Sequence, residues 1–245
     1  MVFGLFSKEK ALQKTVERAT NYLAQHVDRQ AALDQLVATG TDEALFGLCK
    51  RFTITSSKGV EDEQEKSWVV DALASKGVAV LGPLVRFMKT APHLGYSLQV
   101  LGRVADHART IEVVDELFAS EPPGYVRMPD RRIDLLRWFS EWKAGTDAEV
   151  VQRLAPYVVD FDENSRFVAI EGMAGREPGL IAPPLIAALI RPEEESGRIK
   201  RTIVEVLAAA KASLGDQVQA VAAVIEGSGP LSQDFVIANG ILTRR

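Results

Sequence analysis

The feature that most constrains the fold is a four-residue pattern that recurs along almost the whole chain. Each copy has an aliphatic residue, an acid or amide, any residue, and then Leu or Met. Six copies occur: LDQL, VDAL, LQVL, IDLL, IEGM and VEVL, with the acid or amide at Asp34, Asp71, Gln99, Asp134, Glu171 and Glu205. These anchors are 37, 28, 35, 37 and 34 residues apart. Self-similarity at such a period is typical of stacked repeats, in which each unit buries its apolar face against the next one.

The segments between these anchors have the periodicity of short helices. Amphipathic stretches of roughly 10 to 16 residues carry apolar residues at helical spacing. Turn and cap clusters such as ATGTDE, EPPGYVRMPD and DFDENS separate the stretches. Strand-like alternation is nearly absent before residue 230. The pattern predicts an all-α chain of about thirteen helices joined by short loops.

A second column of residues accompanies the anchors. The residue five positions before the anchor is basic in four of the six copies, at Arg29, Lys66, Arg166 and Lys200. Leu94 and Pro129 take that place in the other two. Most of these helices also follow an acidic or capping turn, which suits the positive end of a helix dipole and its free N–H groups.

One segment carries a specific resemblance. EVVQRLAPYVVDFDENSRFVAIEGMA resembles a HEAT repeat, with an apolar first helix, an acidic turn, and a second helix that carries Arg166, then Ala169, then Met173. LIAPPLIAALIRPEEESGRIKRTIVEVLAAA follows the same plan. The resemblance covers residues 7–226 and is weakest around APHLGYSLQVLGRVA. It implies a right-handed α-α superhelix, a HEAT-like solenoid of about six helix pairs that forms one continuous domain over residues 1–226.

The last residues depart from the helical pattern. EGSGPLSQ is typical of a flexible connector, and DFVIANGILTRR places Asn239-Gly240 between two short β-type runs. Asn-Gly is the strongest short signal for a β-hairpin. We therefore expect residues 227–245 to form a linker and a small hairpin that caps the last helices.

The stretch DFDENSRFVAIE looks like a calcium-binding loop but lacks a necessary residue. Asp160, Asp162, Asn164 and Glu171 fall at ligand positions of an EF-hand, yet Ser165 stands where the sharp turn requires glycine. Glu171 is also the anchor acid of a repeat helix. The sequence therefore predicts a capped turn between two helices rather than a calcium site.

Composition narrows the functions further. The formal net charge is −4 with three histidines and one cysteine, Cys49, which falls at a helical apolar position. The charge makes nucleic acid an unexpected partner, and His26, His93 and His107 lack metal-ligand spacing. We expect no metal, no cofactor, a buried Cys49 and a cytoplasmic location. The N-terminal MVFGLF is not a signal peptide, and it either caps the first helices or touches a membrane surface through residues 1–6.

The segment DLLRWFSEW holds the most informative aromatic residues. Asp134, Trp138 and Trp142 are four residues apart, which predicts that they share one helix face. They suit either a stacking pocket beside a carboxylate, similar to that of bacterial HEAT-like DNA glycosylases, or a packed core with a binding hot spot.

The resemblance implies that the second helix of each pair lines a concave surface. The anchors would then form a row of mostly acidic side chains along it, unless they only pair with the basic column of neighbouring repeats. The expected partner-contacting residues are Asp34, Asp71, Gln99, Asp134, Trp138, Trp142, Glu171 and Glu205. We expect a non-enzymatic scaffold or adaptor for a protein or peptide, and an acidic groove would suit a basic one. The alternative is a HEAT-like enzyme, such as an alkylpurine DNA glycosylase or a cofactor lyase.

Overall fold

A computed structural model describes residues 2–245, with side chains from residue 8 onward. Within this range the chain forms fourteen α-helices followed by a two-stranded antiparallel sheet. The prediction of a helical chain that ends in a hairpin is therefore confirmed. The chain divides into two compact units, residues 1–117 and 118–245.

The first unit contains six complete helices and most of a seventh. They are α1 (Val2–Ala19), α2 (His26–Thr39), α3 (Asp42–Cys49), α4 (Gly59–Ala74), α5 (Leu81–Met88), α6 (Gly95–Val104) and α7 (His107–Ser120). Short 3-10 helices occupy Lys50–Thr53 and Gly77–Val80. Helix α4 packs between α2 and α6, while α3 packs on α2 and α5. Three even-numbered helices thus lie side by side as one layer.

The second unit repeats this plan. Its helices are α8 (Asp130–Glu141), α9 (Asp147–Leu154), α10 (Glu163–Glu171), α11 (Pro178–Ile190), α12 (Gly197–Ala209), α13 (Val218–Glu226) and α14 (Gly229–Asp234). Strands β1 (Phe235–Ala238) and β2 (Ile241–Arg244) follow, and 3-10 helices occupy Ala155–Val159 and Gly215–Gln217. Helix α10 packs between α8 and α12. We call α2, α4, α6, α8, α10 and α12 the second helices.

The second helices share one burial pattern that explains the repeat. Each pattern starts with a basic or apolar residue, which we call the first position. The residues three and seven positions after it are buried. The triplets are Arg29-Ala32-Leu36, Lys66-Val69-Leu73, Leu94-Ser97-Leu101, Arg132-Leu135-Phe139, Arg166-Ala169-Met173 and Lys200-Ile203-Leu207. This spacing keeps three side chains on one face of a helix.

The register at α8 differs from the one that the sequence pattern predicts. Pro129 was expected in the first position, but it lies at the N-cap of α8, and the first position belongs to Arg132. The residue equivalent to the other anchors is consequently Arg137, not Asp134. Asp134 is half-buried, whereas Arg137 is exposed. The acidic pattern IDLL matched by chance three residues too early.

Side-chain caps set several helix starts. Thr41, Asp162 and Ser196 each accept a hydrogen bond from a backbone N–H of the first turn of α3, α10 and α12. Thr146 and Glu149 form a reciprocal capping box at α9. Such caps satisfy N–H groups that have no partner inside the helix.

The C-terminal hairpin has the expected turn. Ala238 pairs with Ile241, and Asn239 and Gly240 both have positive φ, 52° and 74°, which a two-residue hairpin loop of this kind requires. Strand β1 packs on α13 and β2 on α12, with Phe235 and Leu242 buried. The preceding segment is not the predicted flexible connector, because Gly229–Asp234 is helical, with proline in its first turn.

Candidate functional site

Among the side chains described in the first unit, five charged ones are buried together. They are Arg29 on α2, Arg51 in the 3-10 helix after α3, and Asp62, Glu65 and Lys66 on α4. We call them the buried cluster. Burying charges is costly unless each is paired and hydrogen-bonded. Each of the five forms at least one ion pair within the cluster.

Glu65 is the centre of the buried cluster. Arg29 donates to it from Nε and Nη2, at 3.0 and 2.7 Å, and Arg51 donates from Nε at 2.8 Å. His26, at the start of α2, places its Nδ1 2.5 Å from Glu65 Oε1. Burial alone raises the pKa of Glu65, but the hydrogen bonds from Arg29, His26 and Arg51 outweigh it and hold that pKa at about 2.

Asp62 lies one turn earlier on α4 and completes the arrangement. Arg51 Nη2 and Lys66 Nζ each lie 2.6 Å from its carboxylate oxygens, and the Ser56 N–H donates at 3.0 Å. Burial raises the pKa of Asp62, yet hydrogen bonds from Lys66, Arg51 and the Ser56 backbone lower it to about 2. Both carboxylates are therefore ionised at neutral pH.

A cleft of about 630 Å³ opens beside the buried cluster. Its walls come from the segment that leads into α2, from the first turn of α2, and from the segment around the start of α4. His26 and Arg29 line it on one side, and Ser56 and Lys58 on the other. The His26 side chain is 43% exposed while its Nδ1 contacts fully buried Glu65, so the ring links the cleft to the buried cluster.

The rim of the cleft is apolar and exposed. Tyr22, Leu23 and Val27 line it and keep 58%, 77% and 73% of their surface accessible. Single exposed apolar residues are normal, but three along one cleft form a patch of the kind that marks binding sites. A concave site with an apolar wall and a few polar groups is what small-molecule sites have in common.

Sequence reasoning identified only part of this site. Arg29 and Lys66 stand in the basic column, but they pair with Glu65 and Asp62 rather than with the anchor acids. Glu65, Arg51 and His26 were missed. The available signal was Arg51, which follows Lys50 after the apolar run ALFGLC, because a charge close behind a buried helix needs a partner if it is buried too.

In the second unit, Arg132 and Arg166 form ion pairs with acids that are not anchors of the repeat. Arg132 Nη1 lies 2.8 Å from Asp160, and Arg166 Nε lies 2.8 Å from Glu194. Asp160 stands two residues before Asp162, the N-cap of α10, and accepts its backbone N–H. Glu194 stands in the same way before Ser196, the N-cap of α12, and accepts its backbone N–H. Arg132 and Arg166 thus join α8 and α10 to the turns that precede α10 and α12.

The capped turn predicted at DFDENS is confirmed by the same contacts. Asp160 is buried on Arg132, and Asp162 caps α10 by accepting the Ser165 N–H at 2.7 Å. Cys49 is buried as predicted, and burial raises the pKa of its thiol to about 12.

Five of the expected partner-contacting residues are exposed and take no part in the buried cluster. Asp34, Asp71 and Gln99 are exposed on α2, α4 and α6. Asp34 accepts a hydrogen bond from Gln30, and Asp71 forms an ion pair with Arg103 at 2.5 Å. In the second unit Glu171 and Glu205 are exposed on α10 and α12, with Glu205 paired to Arg201 at 3.0 Å.

Trp138 lies on α8, and Trp142 is the C-cap residue directly after that helix. Both are half-buried, and their rings stack with centroids 6.3 Å apart and planes at 20°. Trp142 also stacks on the buried Phe139, with centroids 5.6 Å apart. Trp138 is therefore the outer member of a stack whose base is part of the core.

No single helix in residues 2–245 has both the length and the apolar composition to cross a bilayer. Only Gly59–Ala74 and Gly77–Met88, taken together across a bend of 116°, meet both criteria. The side chains that would make the suggested membrane contact, residues 1–6, lie outside those described. A search of protein-family models and of curated proteins finds no match to this chain.

Proposed function

We propose that the protein is a non-enzymatic binding module that holds a protein or peptide partner against its second helices. The observation that carries the proposal is the exposure of equivalent positions. In each second helix, the residue two positions after the middle member of the buried triplet is exposed. These six residues are Asp34, Asp71, Gln99, Arg137, Glu171 and Glu205. Within each unit the second helices lie side by side, so these positions are neighbours.

The charge of these positions favours a basic partner. Four of the six are acids, and in the first unit exposed Glu63 on α4 adds a further one. Glu205 and Asp71 each have an arginine neighbour that partly neutralises them. Exposed pairs of this kind contribute only about 0–1 kcal/mol, so a basic partner can displace them at little cost. Complementary charge then raises the association rate and selects the partner.

Trp138 supplies an aromatic contact for the same surface. Helix α8 packs on α10, which carries Glu171. Tryptophan is enriched among the residues that dominate binding energy at protein interfaces. Its stacking on Trp142 holds the ring in place, so little side-chain entropy is lost when a partner covers it.

The test uses a matched pair of double variants. The partner is captured from native extract and purified, and its affinity is measured at low and moderate salt. Glu171→Lys with Glu205→Lys is expected to weaken binding at least about tenfold, with loss of salt dependence. The control, Glu195→Lys with Glu226→Lys, makes the same charge change at exposed acids outside the second helices and should leave the affinity unchanged.

Equal loss in both double variants would refute the proposed surface, because it would show a general charge effect. Capture of nucleic acid in place of a protein would refute the proposed partner class. Trp138→Ala distinguishes contact from stability: binding should fall while the thermal midpoint changes little, whereas Trp142→Ala, which uncovers Phe139, should lower the midpoint.

A further inference from the structure

An exposed aromatic pair in the second unit does not belong to the proposed binding surface. Tyr125 lies in the turn before α8 and Phe161 in the turn before α10, and they are 76% and 68% exposed. Their rings contact each other edge to face, with centroids 5.3 Å apart and planes at 89°. Met128, which follows Tyr125 closely in the chain, is also exposed, at 65%. We call these three residues the aromatic patch, and a group of exposed apolar side chains is typical of interaction sites.

The backbone that carries the two rings is held in place by buried contacts. Asp160, directly before Phe161, accepts a hydrogen bond at 3.3 Å from the N–H of Gly124, which directly precedes Tyr125. Arg132 donates from Nη1 to Asp160 at 2.8 Å and to the Gly124 carbonyl at 2.9 Å. Both Arg132 and Asp160 are buried. The two turns are thus fixed to each other, so a partner that covers the rings has little backbone freedom to restrict.

One free charge of each sign accompanies the aromatic patch. Arg127 and Asp130, on either side of Met128 in the chain, are both exposed. Among residues 8–245, no group forms an ion pair or a hydrogen bond with either of these side chains. Their neighbour Arg131, in contrast, is already paired with Glu121, at 2.6 Å. A charge can remain free in water, but a charge that an interface covers needs a partner of opposite sign.

These two charges decide which kind of surface can cover the patch. A purely basic surface would repel Arg127, and a purely acidic one would repel Asp130. A second copy of the chain, related by a two-fold axis near Met128, presents its Asp130 to Arg127 and its Arg127 to Asp130. The apolar side chains of the two copies then meet beside the axis. We propose that the protein forms a symmetric dimer through the aromatic patch, with two reciprocal ion pairs between Arg127 and Asp130.

The size of the patch predicts a weak dimer. An aromatic side chain buries roughly 150–250 Å², so the exposed parts of Tyr125 and Phe161 together offer roughly 200–350 Å². A stable interface buries roughly 800 Å² on each partner. The two rings thus supply less than half of that area, and exposed ion pairs add little to the affinity. We therefore expect a dissociation constant in the micromolar range.

Analytical ultracentrifugation of the full chain over a range of concentrations measures the dimer. The unaltered chain should change from monomer to dimer within the micromolar range. Tyr125→Ser with Phe161→Ser should weaken dimerisation at least about tenfold, while the thermal midpoint changes little because both rings are exposed. A chain that stays monomeric at every concentration would overturn the proposal, as would a dimer that the double variant does not weaken.

A matched double variant shows whether the effect belongs to this patch. Tyr22→Ser with Leu23→Ser removes a comparable amount of exposed apolar surface from the first unit. This control should dimerise as the unaltered chain does. Equal weakening in both double variants would refute the assignment, because it would show that the copies associate through exposed apolar surface in general.

The reciprocal ion pairs allow a stricter test by charge reversal. Arg127→Asp and Asp130→Arg should each weaken dimerisation about tenfold, because like charges then meet at both pairs. An equimolar mixture of the two variants should recover the affinity of the unaltered chain, since the copy with two acids then faces the copy with two arginines. Absence of recovery in the mixture would overturn the two-fold arrangement. Failure of these tests leaves the binding of a partner to the second helices unaffected, because different residues carry that proposal.

Discussion

At the scale of single residues, Glu65 shows how a charged side chain becomes part of a core. Both of its oxygens accept hydrogen bonds from buried arginines, and His26 occupies one of them as well. The gain from such contacts roughly balances the loss of hydration, so the cluster adds little net stability over an apolar core. Removing one partner is a different matter, because the remaining charges stay buried.

Glu65→Gln is therefore expected to destabilise the protein by roughly 3–5 kcal/mol, since Arg29 and Arg51 lose their shared carboxylate. Urea unfolding measures the change. Glu61→Gln makes the same chemical change on the same helix, at a partly exposed side chain paired only with Lys58. That control should cost no more than about 1 kcal/mol. Similar losses in the two variants would contradict the central role of Glu65.

The two low pKa values predict a specific acid sensitivity. Asp62 and Glu65 have a pKa of about 2 in the folded chain, below their ordinary values of 3.8 and 4.5. The unfolded chain thus binds protons more readily, and their stabilisation is fully present above about pH 4.5 and is lost as pH falls towards 2. Urea unfolding between pH 6 and pH 2 should show this decline, and Glu65→Gln should make it shallower. An unchanged slope in the variant would contradict the assignment.

The sequence predicts some of these residues and not others for a physical reason. Arg29 and Lys66 are detectable because they recur at a repeat position next to buried residues. Glu65 adjoins that position, and helical periodicity alone does not tell whether a charge at the edge of an apolar face is buried. Arg51 reaches the cluster from a 3-10 turn, whose direction depends on packing rather than on local pattern.

At the scale of elements, helix α10 depends on a close approach at its C-terminal end. A Cβ on Gly172 would lie 2.6 Å from Ser140 Cβ on α8 and 2.8 Å from Leu154 Cδ1 on α9. The φ of Gly172 is −63°, which any residue adopts, so the need for glycine is steric. The absent side chain allows α10 to pack against both neighbours.

Gly172→Ala should consequently destabilise the protein by roughly 1–3 kcal/mol through overpacking. Gly179→Ala is the control, because a Cβ there has no atom within 4 Å and the residue lies in the first turn of α11. It should be neutral or slightly stabilising, since alanine favours helix more than glycine does. Thermal unfolding of the two variants decides the matter, and a neutral Gly172→Ala would refute the close packing.

Element by element, the sequence predicts helix positions better than register or short segments. The anchor pattern placed Asp134 at an exposed repeat position because an acid between aliphatic residues can match a helix in several registers. The buried triplet Arg132-Leu135-Phe139 matches in only one register. The six-residue helix α14 was not predicted, because the glycine, serine and proline residues in and around it are typical of loops. Asn239-Gly240 was predictable because its turn depends on local backbone preferences alone.

At the scale of the whole molecule, the chain has two compact units whose boundary falls within α7. Val113, Val114 and Leu117 belong to the first unit and are buried. Phe118 belongs to the second, where its ring packs on Phe139 and Tyr157 at 5.8 and 5.5 Å. The first positions of successive triplets are farthest apart between Leu94 and Arg132, at 38 residues. The boundary between the two units lies in this interval. The superhelical path that the resemblance implies stays a prediction.

Because each unit has its own core, each should fold alone if it keeps the whole of α7. Fragments 1–120 and 107–245 both include that helix, and each is expected to unfold in one cooperative thermal transition. Fragments 1–106 and 121–245 are the controls, since the first lacks Val113, Val114 and Leu117 and the second lacks Phe118. Each control should melt at a lower temperature than its longer counterpart, because the uncovered core positions lose about 2–5 kcal/mol per large apolar side chain. Loss of cooperative unfolding in both longer fragments would show that neither core suffices by itself, and equal melting of long and short fragments would show that α7 contributes to neither.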